Sequence, residues 1–209
     1  MNLPNPKPTW LDWARKIQAI SQIGLTYAEI PYDRERYEQL AALAVEIFAH
    51  YTGEDSVAVA KAITTQPGYV TPKVDVRGAC FRDGKVLLVR ERDDGGWCLP
   101  GGWADVGDVP SEAATREVHE EAGYEAISRK LIGVFDANRS EPLVACHAYK
   151  LVFLCEITGG NGQPNHETDG VAFFGSHELP TLSEARTDAR VLAECFAHLA
   201  DAQRETWFD

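Results

Sequence analysis

The segment Gly102 to Tyr124, GWADVGDVPSEAATREVHEEAGY, constrains this chain more than any other. Pro110 and Ser111 suit the start of a helix, and Gly123 suits the residue just past its end. Within that helix Glu117, Glu120 and Glu121 fall inside five positions. Residues three and four apart share a face, so the spacing predicts three carboxylates that point one way and repel one another. Ala113, Ala114 and Val118 supply an apolar side that packs on a sheet. Arg116 follows Glu112 by four residues and precedes Glu120 by four, which allows pairing along the helix. Just upstream, Leu99-Pro100-Gly101-Gly102 predicts a tight turn whose backbone approaches a neighbour closely.

A cluster of glutamates on a helix reads in two ways. It is a solvated face, or its repulsion is relieved by a hard divalent cation such as Mg2+, which takes carboxylate oxygens and keeps positions open for water and phosphate. The glycine turn ahead of the acidic edge favours the second reading, a metal cradle suited to phosphate chemistry.

The stretch resembles the Nudix box, written G-x5-E-x7-R-E-U-x-E-E-x-G-U, with U a bulky apolar residue. Gly102, Arg116, Glu117, Val118, Glu120, Glu121 and Gly123 fall on the pattern. Asp108 stands where the pattern has Glu, and Tyr124 where an aliphatic residue is usual. The resemblance implies a hydrolase of nucleoside diphosphates linked to a second group. It implies Glu117, Glu120, Glu121 and the Gly101 carbonyl as metal ligands, for Mg2+ or for Mn2+, which the same oxygen donors serve. Arg116 joins the catalytic set. Asp108, one methylene short, supports it less firmly, and Gly102 and Gly123 shape the two ends. A carboxylate must take a proton from the attacking water. Glu120 is one candidate. Glu167 is another, because Glu167-Thr168-Asp169-Gly170 is a polar loop where relatives often place a further acid. Lys73, Arg77 and Arg90 are candidates either for substrate phosphates or for ion pairs with carboxylates.

The rest of the chain is read from its periodicity. Val74–Phe81 and Lys85–Arg90 alternate as strands about an Asp83-Gly84 hairpin turn. Lys130–Phe135, Ala148–Ile157 and Val171–Phe174 are further strands. Leu192, Cys195, Phe196 and Leu199 recur at helical spacing. Residues 71–209 are therefore expected to form an α/β fold, by resemblance a Nudix-type α/β/α sandwich with a mixed sheet. Residues 1–70 form a separate, small, mainly helical domain. There Trp10, Trp13, Ala14, Ile17 and Ile20 mark one helix, and Tyr37, Leu40, Ala44, Ile47, Phe48 and Tyr51 a second, joined through Gly24 to Asp33. This extension, with WLDWAR from Trp10 and YDRERY from Tyr32, resembles that of a subgroup of CDP-choline and ADP-ribose pyrophosphatase-like Nudix enzymes. The run Gly68 to Arg77 resembles the same subgroup's junction. Two helices alone bury too little surface to stand unaided, so they must pack on the rest of the chain or on a second copy; their exposed apolar face makes a homodimer the expectation.

Charge and cysteines bound the function further. The net charge is −12, and most of it lies after residue 70. Such a surface repels polyphosphate chains, so stable nucleic-acid binding is not expected. A small nucleotide substrate can still approach once a cation inverts the local field. No apolar run is long enough to span a membrane, and Met1 to Trp10, with three prolines, does not read as a signal peptide. The five cysteines have no CxxC pair and several lie in apolar settings, which argues for reduced thiols, a cytoplasmic protein and no zinc site. The alternative classes are a Nudix-fold nucleotide sensor without catalysis, and an interaction module acting through the helices.

Overall fold

The computed structural model describes residues 9–63, 69–139 and 147–209. Cys146, Met1 to Pro8 and Gly68 lie outside them. The chain divides into two compact units, a helical one within the first 72 residues and one that holds every described strand from Lys73 onward.

The helical unit contains α1 (Thr9–Tyr27), α2 (Pro31–Thr52) and α3 (Ser56–Ile63). Leu11, Ala14, Phe48 and Val59 form its core, and Trp10 stacks on Tyr51 with ring centroids 4.7 Å apart. Three sequence readings change here. Gly24 does not open the interhelical loop; α1 runs through it to Tyr27, and the loop is only Ala28–Ile30. A Cβ on Gly24 would meet the Tyr37 ring at 2.3 Å, so this glycine makes room for α2. The third helix, α3, was not anticipated, being too short for its period to register. Nor are all the apolar residues of α1 core residues. Trp13, Ile20 and Tyr27, spaced by seven, are 60%, 57% and 66% exposed.

The second unit is a mixed sheet between two helices. Its strands are β1 (Lys73–Arg82), β2 (Lys85–Glu91), β3 (Trp97–Cys98), β4 (Gly101–Trp103), β5 (Tyr124–Asp136), β6 (Ala148–Gly160), β7 (Thr168–Phe174) and β8 (Trp207–Phe208). The order is β3-β2-β1-β6-β5-β8, with β4 on β1 and β7 on β2. β1 runs parallel to β6 over eight residue pairs and antiparallel to β2 and β4. Asp83 and Gly84 both have positive φ, the geometry of a tight hairpin. β5 begins at Tyr124, directly after the helix-ending Gly123, rather than at Lys130.

Helix α4 (Pro110–Ala122) covers one face of the sheet and α5 (Ala189–Ala200) packs in the core of the other. Side chains alternate across a strand, and β2 shows it plainly. Leu87 and Val89 join Ala113, Ala114 and Val118 of α4, while Val86 and Leu88 join Val191, Leu192 and Cys195 of α5. This is the α/β/α sandwich with a mixed sheet that the sequence implies. Gly123 sits at φ +69, with its N–H on the His119 carbonyl at 2.9 Å, a left-handed stop that turns the chain from α4 into β5. Among the described residues no helix is long and apolar enough to cross a membrane.

Candidate active site

The glycine turn and α4 meet through one hydrogen bond. Glu121, 5% exposed, accepts from the Gly101 N–H at 2.9 Å. Gly101 has φ +150, and a Cβ there would stand 2.1 Å from the Val76 carbonyl oxygen, so no other residue fits the turn unstrained. A Cβ on Gly102 would lie 3.5 Å from the Glu117 carboxylate. The backbone of the turn therefore lies directly against the acidic edge of the helix.

The three glutamates do not share one environment. Glu121 is buried, Glu117 is mostly covered, and the Glu120 side chain is half exposed. Helical geometry gives the reason: at 100° per residue, Glu120 and Glu121 diverge although each is near Glu117. Arg116 bridges the outer pair, 3.0 Å from Glu117 and 3.1 Å from Glu120, and reaches Asp108 at 3.3 Å. Asp108 thus meets the arginine despite its shorter side chain. Among the described residues no three His, Cys, Asp or Glu side chains are gathered as a ready-made metal cage. The expectation of three carboxylates pointing one way is corrected to a pair bridged by Arg116, of which only Glu120 is well exposed, and a third, Glu121, bonded inward to Gly101.

The charges nevertheless suit a hard cation. Burial pushes Glu121 up to about 7, and the negative charges of Glu91 and Glu117 add to it, against the pull of the Gly101 N–H and of Arg77. Burial also raises Glu117, with Glu120 adding to it and Arg116 opposing. Buried negative charge next to oxygen-only donors is the environment that Mg2+ or Mn2+ relieves.

The other predicted residues separate. Glu167 stands in an exposed loop whose turn is fixed by Asn165, the Oδ1 of which accepts from the Glu167 and Thr168 N–H groups at 2.8 and 2.9 Å. Thr168 Oγ1 donates to the Glu121 carbonyl at 3.0 Å, which pins that loop to the end of α4. Arg90 pairs with Asp169 at 2.5 Å and lies over the Trp97 ring. Lys73 lies over the half-exposed Trp103 ring, 5.4 Å from its centroid. Arg77 is different: it is 4% exposed, and its Nε and Nη2 both donate to Asp75 at 2.8 Å. Of the two roles that the sequence left open, Arg77 takes the ion pair and presents no surface to a substrate phosphate.

Sequence reasoning missed Glu91. It is buried, accepts from the Cys98 thiol at 3.1 Å, lies 3.4 Å from Arg186 Nε, and acts electrostatically on Glu121. Its signal was present. Leu87, Val89 and Glu91 alternate on β2, which places Glu91 on the inward face toward α4. Lys150 was also missed. It is buried opposite Asp75, donates to the Ala185 and Arg186 carbonyls, and is pushed down to about 8, chiefly by burial.

Residues 72–195 match the NUDIX domain. The chain belongs to the Nudix family. Residues 8–63 match the UDP-X-like, N-terminal oligomerisation domain. The chain is 40% identical to the putative ADP-ribose pyrophosphatase YjhB of Bacillus subtilis over 201 residues, 96% of this chain and 97% of that protein. It is 34% identical to a UDP-X diphosphatase of known crystal structure, with a TM-score of 0.62 over 98% of this chain and 100% of that one. An ADP-ribose pyrophosphatase from Streptococcus suis matches at 38% identity and a TM-score of 0.61, over 66% of this chain and all of that one. This chain is accordingly a Nudix pyrophosphatase, similar to proteins named ADP-ribose pyrophosphatase and UDP-X diphosphatase.

Proposed function

We propose that this Nudix protein is a Mg2+- or Mn2+-dependent pyrophosphatase. It hydrolyses nucleoside diphosphate-X substrates of the ADP-ribose, UDP-X or CDP-choline class to a nucleoside monophosphate and a phosphorylated X. The observation that carries this reading is the buried Glu121 carboxylate bonded to Gly101, with Glu117 beside Gly102. It is a concentration of negative charge set against backbone, the kind of environment that a hard divalent cation relieves. The names of the relatives support the first two substrate classes. CDP-choline rests on the likeness of the N-terminal extension alone.

Glu117, Glu120, Glu121 and the Gly101 carbonyl would hold the ion. When bound, it neutralises phosphate oxygens and lowers the pKa of a water. The protein's own groups do the rest. Arg116 releases Glu117 and Glu120 from its ion pairs and remains anchored on Asp108. Glu120, half exposed, and Glu167, in the loop that Thr168 ties to Glu121, remain the two candidates for accepting the water's proton. Lys73 and Arg90, both partly exposed, stay candidates for the substrate's phosphates, Arg90 by giving up Asp169; Arg77 leaves that set.

The same reading makes the protein a cytoplasmic homodimer. The four described cysteines are all free and buried, and reduced thiols suit that compartment. The stripe Trp13, Ile20, Tyr27 offers an apolar seam of heptad spacing for a second copy.

The test is hydrolysis of ADP-ribose, UDP-linked sugars and CDP-choline, with the products identified, in Mg2+, in Mn2+ and in excess chelator. Turnover that survives chelation refutes the metal assignment. Glu120→Gln and Glu167→Gln are compared in the same assay. The general base loses about 100-fold or more in kcat, and full turnover by both variants refutes the proton-acceptor assignment.

A further inference from the structure

Beneath the glycine turn lies a polar cluster that the reaction described above does not use. Asp75 and Arg77 are two apart on β1 and so share a face. Their side chains are 9% and 5% exposed. Asp75 takes the Nε–H and one Nη–H of the guanidinium, a side-on pair at 2.8 Å for both bonds. That leaves Nη1 aimed at the turn, where it donates to the Leu99 carbonyl at 3.0 Å. Three further bonds hold the same turn. The Gly78 N–H donates to the Pro100 carbonyl at 2.9 Å, and the Leu99 N–H donates to Thr187 Oγ1 at 3.0 Å. The Gly101 N–H donates to Glu121. Of these anchors, Arg77 alone is a charged fork, and its aliphatic stem lies against Gly101. A Cβ on that glycine would meet Arg77 Cδ at 2.7 Å.

We propose that Arg77, locked by Asp75, is a positioning residue. It fixes the Leu99–Gly101 backbone against α4 so that the Gly101 carbonyl and the Glu121 carboxylate hold one geometry for a divalent ion. This rests on the metal-dependent reading given above. The arginine is required for its shape as well as its charge. A planar guanidinium serves a carboxylate with two donors and still has a third for a carbonyl, whereas a lysine ammonium is a point donor on a flexible stem. The inference also explains why a guanidinium lies in the core on a strand next to an acidic site without any path to a substrate.

The test separates positioning from folding and from substrate contact. A lone Arg77 deletion strands the Asp75 charge, so the informative variant replaces both, Asp75→Val with Arg77→Met, because a buried ion pair is commonly exchanged for apolar residues without loss of stability. Arg77→Lys is the second variant, which keeps the charge should the double change fail to fold. Three quantities are read for each: the urea midpoint, Mn2+ affinity by calorimetry without substrate, and kcat and KM at saturating metal. The expected result is a folded variant whose Mn2+ affinity is lower by about tenfold or more, as for other groups that orient a metal's ligands. Its kcat falls and its KM for the nucleotide stays at the wild-type value. Arg77→Lys is expected between the two. A folded variant with wild-type Mn2+ affinity and kcat overturns the inference, as does a rise in KM alone, which would make Arg77 a substrate contact. If the wild-type protein itself takes up no Mn2+, the functional reading fails and this inference with it.

Discussion

Glu121→Gln isolates the energetic tension at the site. In the metal-free protein, burial raises the Glu121 pKa from 4.5 to about 7. A carboxylate whose folded pKa lies above its unfolded value binds more protons in the folded state between those two pH values. Stability therefore falls as pH rises from about 4.5 to about 7, and the loss is complete above that window. That rise in pKa corresponds to about 3 kcal/mol. Glutamine is the neutral counterpart: it has nearly the same volume, and its carbonyl oxygen accepts from the Gly101 N–H. The variant should thus be more stable than wild type by about 3 kcal/mol at pH 8 in chelator. For a chain of this size that is a rise in Tm on the order of 6–12 °C. At pH 4 both forms are neutral and the difference should vanish. Urea unfolding at the two pH values measures this directly. A variant no more stable than wild type at pH 8, or equally favoured at both pH values, refutes the argument that Glu121 is held ionised at a cost. The same variant should lose Mn2+ binding, so the residue that weakens the metal-free fold is one the metal-bound enzyme needs.

Two other substitutions probe the backbone and the helical unit. Gly101→Ala sets a side chain at φ +150 within 2.1 Å of the Val76 carbonyl; it should cost about 3 kcal/mol or more, read as a lower urea midpoint, together with loss of turnover. Unchanged stability would mean that the turn relaxes freely. Trp13→Ser combined with Ile20→Ser removes two exposed apolar residues from α1; if the proposed homodimer forms through this stripe, the pair of changes halves the mass seen in sedimentation velocity and leaves the melting of the strand-bearing unit unaltered. An unchanged mass refutes α1 as the dimer seam.

The identity of the acids and the helix that carries them were legible in the chain, because helical spacing is a local property. A pattern of three- and four-residue steps places Glu117, Glu120 and Glu121 on neighbouring turns whatever surrounds them. The alternation of Lys85–Arg90, the Asp83-Gly84 turn and the glycine that ends α4 were legible for the same reason. Depth was not. That Glu121 turns inward to Gly101 while Glu120 stays in solvent depends on where β1 and β4 lie relative to α4. Arg77 and Arg90 look alike in sequence. β1 lies centrally, between β6 and the strands β2 and β4, and Arg77 is buried there beside Asp75, whereas Arg90 near the end of β2 reaches out to Asp169. Glu91 and Lys150 find partners in the 182–188 segment, far along the chain, through Arg186 and the Ala185 carbonyl. The chain by itself determined which chemical groups are present and their local spacing. The tertiary structure alone decided which of them are withdrawn from water, because desolvation is set by contacts between residues distant in sequence.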